Sequence, residues 1–342
     1  MSRNLYYCCD GRHVYAFGIF AAFYTKDIGP ALRIIPYQML DRIESFQPGA
    51  YIFTDFDRLT RLARDRLSRL VDDFETNGWL VLNHPSRVRG RFNLLRALHA
   101  SGLNKFNVYR LANWREARRF PVFIRAERGH DRPLTGLLPT SLALQHEVER
   151  LTHEGVASRD LMIVEFGNVR SADGKFRKYS AYRVGEEIYG QHCFSSRNWW
   201  IKYAGNEFGE AEYNEHLKYV AENPHRDQLK QIFDLASIDY GRIDYCVVND
   251  VVQTFEINTN PTVLQATASR QGDMSFYAKL HEDALKALLE RVPQTLDLAN
   301  RLFARGPGQP ADEMGAQWVG FAKANWPEAA PSADLPLQQG GL

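Results

Sequence analysis

One stretch constrains this chain more than any other. Between Gly241 and Asn258 the residues alternate on both sides of a polar break at Asn249–Asp250. Ile243, Tyr245 and Val247 share one face of a first strand, and Phe255 and Ile257 share one face of a second. Both apolar sets must face one core, which pairs 243 with 257 and 245 with 255 and predicts an odd turn, most simply Asn249-Asp250-Val251. The same register sets Asp244 opposite Glu256 and Arg242 beside Asn258. Two carboxylates facing each other across a strand pair repel. One way to remove that cost is a hard divalent cation, which takes carboxylate and amide oxygens. The other is an exposed face on which the two acids and the arginine form an ion-pair network.

The rest of the chain leaves room for a catalytic reading. Its 342 residues suggest two or three domains, and the formal net charge of +1 offers nothing to a polyanion, so no nucleic-acid partner is expected. The arginines of the 57–77 stretch (Arg58, Arg61, Arg64, Arg66, Arg69) are interleaved with acids. They read as a solvated helix face over a stripe of Leu59, Leu62, Leu70 and Phe74. Cys8, Cys9, Cys193 and Cys246 form neither a CxxC pair nor a disulfide framework, as in a reducing compartment. No secretory layout opens the sequence and no run reaches the ~18 apolar residues of a membrane span. The expectation is a cytoplasmic protein with no membrane partner. His spacing fits no zinc motif, and no GxSxG or cysteine-nucleophile signature is present.

Periodicity places strands at 5–9, 51–54 and 79–83, with the 57–77 helix stopped by Gly78, a strand–helix–strand unit of the parallel, open α/β kind. A helix follows at 91–101. Strands are expected at 121–126, at 134–138 as its partner, and at 161–166, with a helix at 140–154. Two antiparallel strands should span 175–185 and 187–193. Helices are expected at 211–221, 225–236 and about 274–292. The Gly- and Pro-rich end reads as a loosely held tail.

Arg242-x-Asp244, a twelve-residue step to Glu256 and then Glu256-x-Asn258-x-Asn260-Pro261 resembles the metal-binding hairpin of the ATP-grasp superfamily, closest to RimK-like and D-alanine–D-alanine ligase-like carboxylate–amine ligases. The resemblance implies an α/β (α+β) architecture: an N-terminal open α/β domain at 1–105, a central lobe at 106–190 and a C-terminal lobe with the hairpin at 191–310. Antiparallel sheets of the two lobes would enclose the nucleotide, and 311–342 would be the tail. It further implies that Asp244, Glu256 and Asn258 hold one or two Mg²⁺ ions (Mn²⁺ as a substitute), and that Arg242 stabilises the γ-phosphoryl group as it is passed on. Arg91 and Arg125 stand where the family uses phosphate-side lysines; arginine keeps the charge but contacts through a planar fork. Between them and the hairpin, Glu165, Phe166 and Gly167 resemble the hinge against which adenine lies. Lys178 or Arg183 would come from the strand covering the nucleotide, and Lys202 would touch the phosphates or the acceptor. Two departures stand out. The phosphate lid after Arg125 keeps only Gly129 and Gly136, and the usual small Pro-Gly ending is Asn260-Pro261-Thr262 here.

The activity implied is ATP-dependent ligation of a carboxylate to an amine through an acyl phosphate. A phosphotransferase with a hydroxyl acceptor, or a nucleotide-binding protein without turnover, shares the same hairpin. Small-molecule or peptide substrates fit equally. Oligomeric state stays open, a homo-oligomer among the options.

Overall fold

A computed structural model describes residues 3–129, 132–167, 169–201, 209–264, 274–293, 303–304 and 308–327. These fall into two compact units, one of Met1–Thr54, Asp73–Val81 and Asn260–Leu342, the other of Asp55–Asp72 and Leu82–Thr259.

The first unit is built on a sheet in the order β2-β1-β4-β5, from β1 (Asn4–Cys9), β2 (Leu32–Pro36), β4 (Gly49–Phe53) and β5 (Leu80–Leu82), with β3 (Ile43–Phe46) outside it. β1 runs parallel to both β2 and β4. Every residue of β1 is buried, so it reads as a continuous apolar run rather than an alternating one. Helix α1 (Tyr15–Phe23) is apolar nearly all round, which hid it from a search for an amphipathic stripe. Its Phe20 meets His281 of α7 (Met274–Glu290) edge-on at 4.9 Å.

The C-terminal stretch corrects one expectation. Within the expected loose tail at 311–342, Ala311–Asn325 form a 15-residue helix with Ala311, Met314 and Ala322 buried, and 328–342 lie outside the described residues. Asp312 in its first turn accepts from Asn4 Nδ2 at 2.9 Å and from the Tyr6 hydroxyl.

The second unit begins with most of α2 (Arg61–Thr76). Here too the burial differs from the expected stripe: Leu67, Leu70, Val71 and Phe74 are buried, while Leu62 is exposed. The helix starts only at Arg61, so Leu62 sits on its opening turn. Nor is Arg64 simply solvated, since its guanidinium donates to the carbonyls of Pro85 and Val88, both at 2.6 Å. After α3 (Arg91–Ala100) come β6 (Val108–Arg110), β7 (Val122–Ala126), α4 (Ser141–His153) and β8 (Leu161–Glu165). The three strands form an antiparallel sheet in the order β6-β8-β7. Thr140 caps α4 through its hydroxyl, which accepts from Ala143 N. The expected strand at 134–138 reduces to one bridge, Val122 with Leu138.

A second antiparallel sheet runs β10-β9-β11-β12. Its members are β9 (Phe176–Val184), β10 (Glu187–Ser196), β11 (Tyr240–Val248) and β12 (Val251–Asn258), joined through α5 (Glu210–Glu222) and α6 (Arg226–Ala236). The start of β11 is pinned by buried Asn83, whose amide accepts from Asp239 and Tyr240 N–H and returns a bond to the Tyr240 carbonyl.

Among the described residues no helix is long and apolar enough to cross a membrane.

Candidate active site

The β11–β12 hairpin pairs Arg242 with Asn258, Ile243 with Ile257 and Asp244 with Glu256, the register read from the alternation. The turn is a correction. Past Asp244 the register slips by one, so that Tyr245 faces Thr254 and Val248 faces Val251, leaving Phe255 as a bulged residue. The loop is therefore two residues, Asn249 and Asp250, both left-handed at φ 50° and 61°, as a primed hairpin turn requires. Alternation fixes parity on each arm but does not say where an odd residue is spent, and here it lies within the strand.

With Asp244 and Glu256 on one face, register carries the row further. Asp244 lies opposite Ser180 on β9, and Ser180 opposite His192 on β10. Four polar side chains, His192, Ser180, Asp244 and Glu256, thus cross the whole sheet in line. Asp244 is buried to 6% exposure, and its charge is balanced by cations. Lys178 Nζ lies 3.1 Å from Oδ2, while Ser180 donates to Oδ1 at 2.7 Å and Arg242 Nε lies 3.3 Å from it. Burial works to raise the pKa of Asp244, but Lys178 and Arg242 outweigh it and hold the carboxyl well below the usual range. The Arg242 side chain is 11% exposed. Burial would lower its pKa, yet Asp244, Tyr182 and Glu256 raise it on balance. Its Nη1 lies 3.4 Å from Gln191 Oε1.

Glu256 at the other end meets the two arginines singled out by the sequence. Arg91, the first residue of α3, donates to Glu256 and to the carbonyls of Glu127 (2.8 Å) and Gly129 (3.1 Å). Arg125 on β7 places Nη2 3.7 Å from the same carboxylate and lies over the Trp200 ring at 5.6 Å. It is buried, and Nε finds no partner among the described residues. Burial first, and the neighbouring Arg91 charge second, bring its pKa down to about 10 against the pull of Glu256. It remains a cation at neutral pH.

Other predicted residues are placed elsewhere. Arg183 is not brought into the row. Its guanidinium pairs with Asp234 at 2.6 Å and Asp239 at 3.5 Å, on the face of β9 opposite to Lys178 and Ser180. Glu165 ends β8, but its carboxylate accepts from Asn107 N and the Tyr109 hydroxyl, both at 2.9 Å. Phe166 follows it, its N–H on the Pro121 carbonyl and its ring 5.6 Å from Trp199, and Gly167 comes next. Lys202 lies outside the described residues.

Sequence reading missed His192 and Gln191. A bulge in β10 between Gly190 and His192 lets both neighbours serve the same neighbourhood, Gln191 beside Arg242 and His192 on Ser180. Strict alternation would have sent them to opposite faces. The sequence hint is two polar residues in succession at the middle of the strand, between Gly190 and Cys193.

Three oxygen-bearing side chains on one face, Asp244, Glu256 and Asn258, suit a hard divalent cation, and the basic residues around them suit the phosphates of a nucleotide. No protein-family model matches the sequence, and no curated protein matches it. Solved structures do match the fold. The ATP-grasp ligase PsnB complexed with a minimal precursor superposes with a TM-score of 0.53 at 14% identity, covering 83% of this chain and 99% of that one. The same ligase with precursor peptide PsnA2 and AMPPNP gives a TM-score of 0.51 at 12% identity, over 84% of this chain and 97% of that one. The chain described here has the ATP-grasp fold.

Proposed function

Taking that fold as the premise, we propose that the chain is an ATP- and Mg²⁺-dependent ligase joining a carboxylate to an amine, with a peptide as one substrate. The observation that carries the reading is the convergence of Asp244, Glu256, Lys178 and Arg242 on one sheet with Arg91 and Arg125 from the neighbouring elements. Support for a peptide substrate comes from PsnB, which is complexed with a minimal precursor and with precursor peptide PsnA2.

Asp244, Glu256 and Asn258 would hold the cation, which when bound neutralises charge on the phosphates. Arg91 and Arg125 bind and orient those phosphates, taking them in exchange for Glu256, whose carboxylate is released to the metal side. Lys178 and Arg242 face the charge that builds up as a substrate carboxylate oxygen attacks the γ-phosphorus and the bond to ADP breaks. Fixed charges in a buried site are worth far more than in water, and phosphoryl transfer needs little beyond positioning and such charges. The amine then attacks the acyl carbon and phosphate departs, leaving an amide, ADP and inorganic phosphate.

The test is Glu256→Gln assayed for ADP and phosphate release over paired pools of peptide carboxylates and amines. Loss of a large part of the turnover is expected, because an amide is a poorer ligand and cannot counter both arginines. Wild-type rates in the variant would refute the cation site. A phosphorylated product without free phosphate would move the assignment to a phosphotransferase.

A further inference from the structure

Asp244 is buried, and a buried carboxylate free to rotate would make a poor ligand. Its orientation is set by a chain of two groups, Ser180 and His192. Ser180 Oγ lies 2.7 Å from Asp244 Oδ1 and 2.8 Å from His192 Nε2. Ser180 is fully buried and His192 is 5% exposed. A serine hydroxyl has one proton to give. Asp244, flanked by Lys178 and Arg242, is an ionised carboxylate and only accepts. The hydroxyl proton therefore goes to Asp244, and Ser180 must accept from His192. That fixes the imidazole as the Nε2–H tautomer. The ring is held by stacking on Phe194, with centroids 3.9 Å apart and planes 18° apart, and the β10 bulge turns it toward the row.

We propose that His192 and Ser180 are positioning residues that orient Asp244 as a cation ligand through a one-way chain, His192 Nε2–H to Ser180 Oγ–H to Asp244 Oδ1. The proposal rests on the cation site of the preceding section. All donors point toward the carboxylate, so each bond polarises the next. Oδ1 thereby takes the Ser180 and Arg242 contacts, and a metal would meet Oδ2, in exchange for the Lys178 ammonium that bonds it at 3.1 Å. Groups that orient a ligand in this way are worth about 10- to 100-fold in metal affinity.

Two measurements on the full chain test it. Nitrogen-15 NMR of histidine-labelled, metal-free protein should show His192 with protonated Nε2 and bare Nδ1. A bare Nε2, or an imidazolium, overturns the chain whatever the metal does. Electron paramagnetic resonance titration of Mn²⁺ in the presence of AMPPNP then reads the consequence. Ser180→Ala and His192→Phe, the latter keeping a ring on Phe194, should each weaken Mn²⁺ by about 10- to 100-fold. His192→Gln, which keeps an N–H donor, should recover most of that loss. The double variant Ser180→Ala/His192→Phe should bind no more weakly than Ser180→Ala, since both act through one hydroxyl. Wild-type affinity in Ser180→Ala or His192→Phe, alongside lost affinity in Asp244→Asn, overturns the proposal alone. Wild-type affinity in Asp244→Asn overturns the cation site itself. Should Ser180→Ala fail to fold by circular dichroism, the contrast between His192→Phe and His192→Gln decides.

Discussion

Asn104 offers the sharpest test of how the second unit holds its hairpin in place. β12 is an edge strand, and an edge presents backbone groups that need partners. At Thr254, next to the bulge, both are met by one side chain: Asn104 Nδ2 donates to the carbonyl at 2.9 Å, and Asn104 Oδ1 accepts the N–H at 2.9 Å. Asn104 is 1% exposed and Thr254 fully buried, so water has no ready access. Asn104→Ala removes two hydrogen bonds worth about 1 kcal/mol each net, and strands two buried backbone groups at about 1–3 kcal/mol each. The losses overlap, so the expected cost is about 2–5 kcal/mol. At roughly 2–4 °C per kcal/mol for a chain of this order, the lower figure already lowers the melting temperature by about 4 °C or more. Asn104→Asp should be no better, because it keeps an acceptor for the N–H but sets a carboxylate oxygen against the Thr254 carbonyl. Thermal melts followed by circular dichroism measure both. A shift below about 1 °C in Asn104→Ala would refute the reasoning, since two stranded groups cannot cost so little.

Two further outcomes concern the first unit. Burial pushes the pKa of His281 down to about 3, from 6.5. Below pH 6.5 the unfolded chain takes up a proton that the folded chain refuses, so this contribution is full above 6.5 and declines as pH falls toward 3, at about 1.4 kcal/mol per pH unit. His281→Gln should flatten the fall in melting temperature between pH 6.5 and 5, and an unchanged slope contradicts the assignment. Gly315→Ala would ordinarily favour a helix. Here the added Cβ would lie 2.6 Å from Arg33 Cβ and 3.2 Å from Arg33 Cα, so the helix must lift, and a loss of about 1–3 kcal/mol replaces the usual gain. A raised melting temperature would show that the helix does not press on β2.

Much of this site can be read from residue order, and the failures have a common cause. Alternation places Asp244 against Glu256, because a half-buried strand leaves the period-2 mark of its buried face. It also separates Lys178 and Ser180 from Arg183, although the choice between the faces needs a partner strand. Bulges leave no such mark. Either side of an extra residue looks regular, so neither the Phe255 slip nor the pairing of Gln191 and His192 near one locus is legible. Long-range ion pairs fail for a different reason: nothing local to Arg91 or Arg125 announces that both end on Glu256, some 130 to 165 residues away. The helix at Ala311–Asn325 was hidden by Gly and Pro on its flanks, which describe the connections rather than the segment between them.

The bulge at Phe255 also governs how hairpins of this kind can vary in length. A two-residue loop with regular arms puts an odd interval between facing residues, and the interval from Asp244 to Glu256 is even. One supernumerary residue reconciles them. Removing Phe255 would leave the turn and the pairs beside it untouched and would bring Glu256 into the regular place opposite Asp244, so the acids would still share one face. Growth at the tip, one residue on each arm, would lengthen the ribbon and keep the acids face to face. Length drift among such chains is therefore absorbed at the bulge or at the tip, and two relatives with unequal spacings, one odd and one even, can present the same acidic pair.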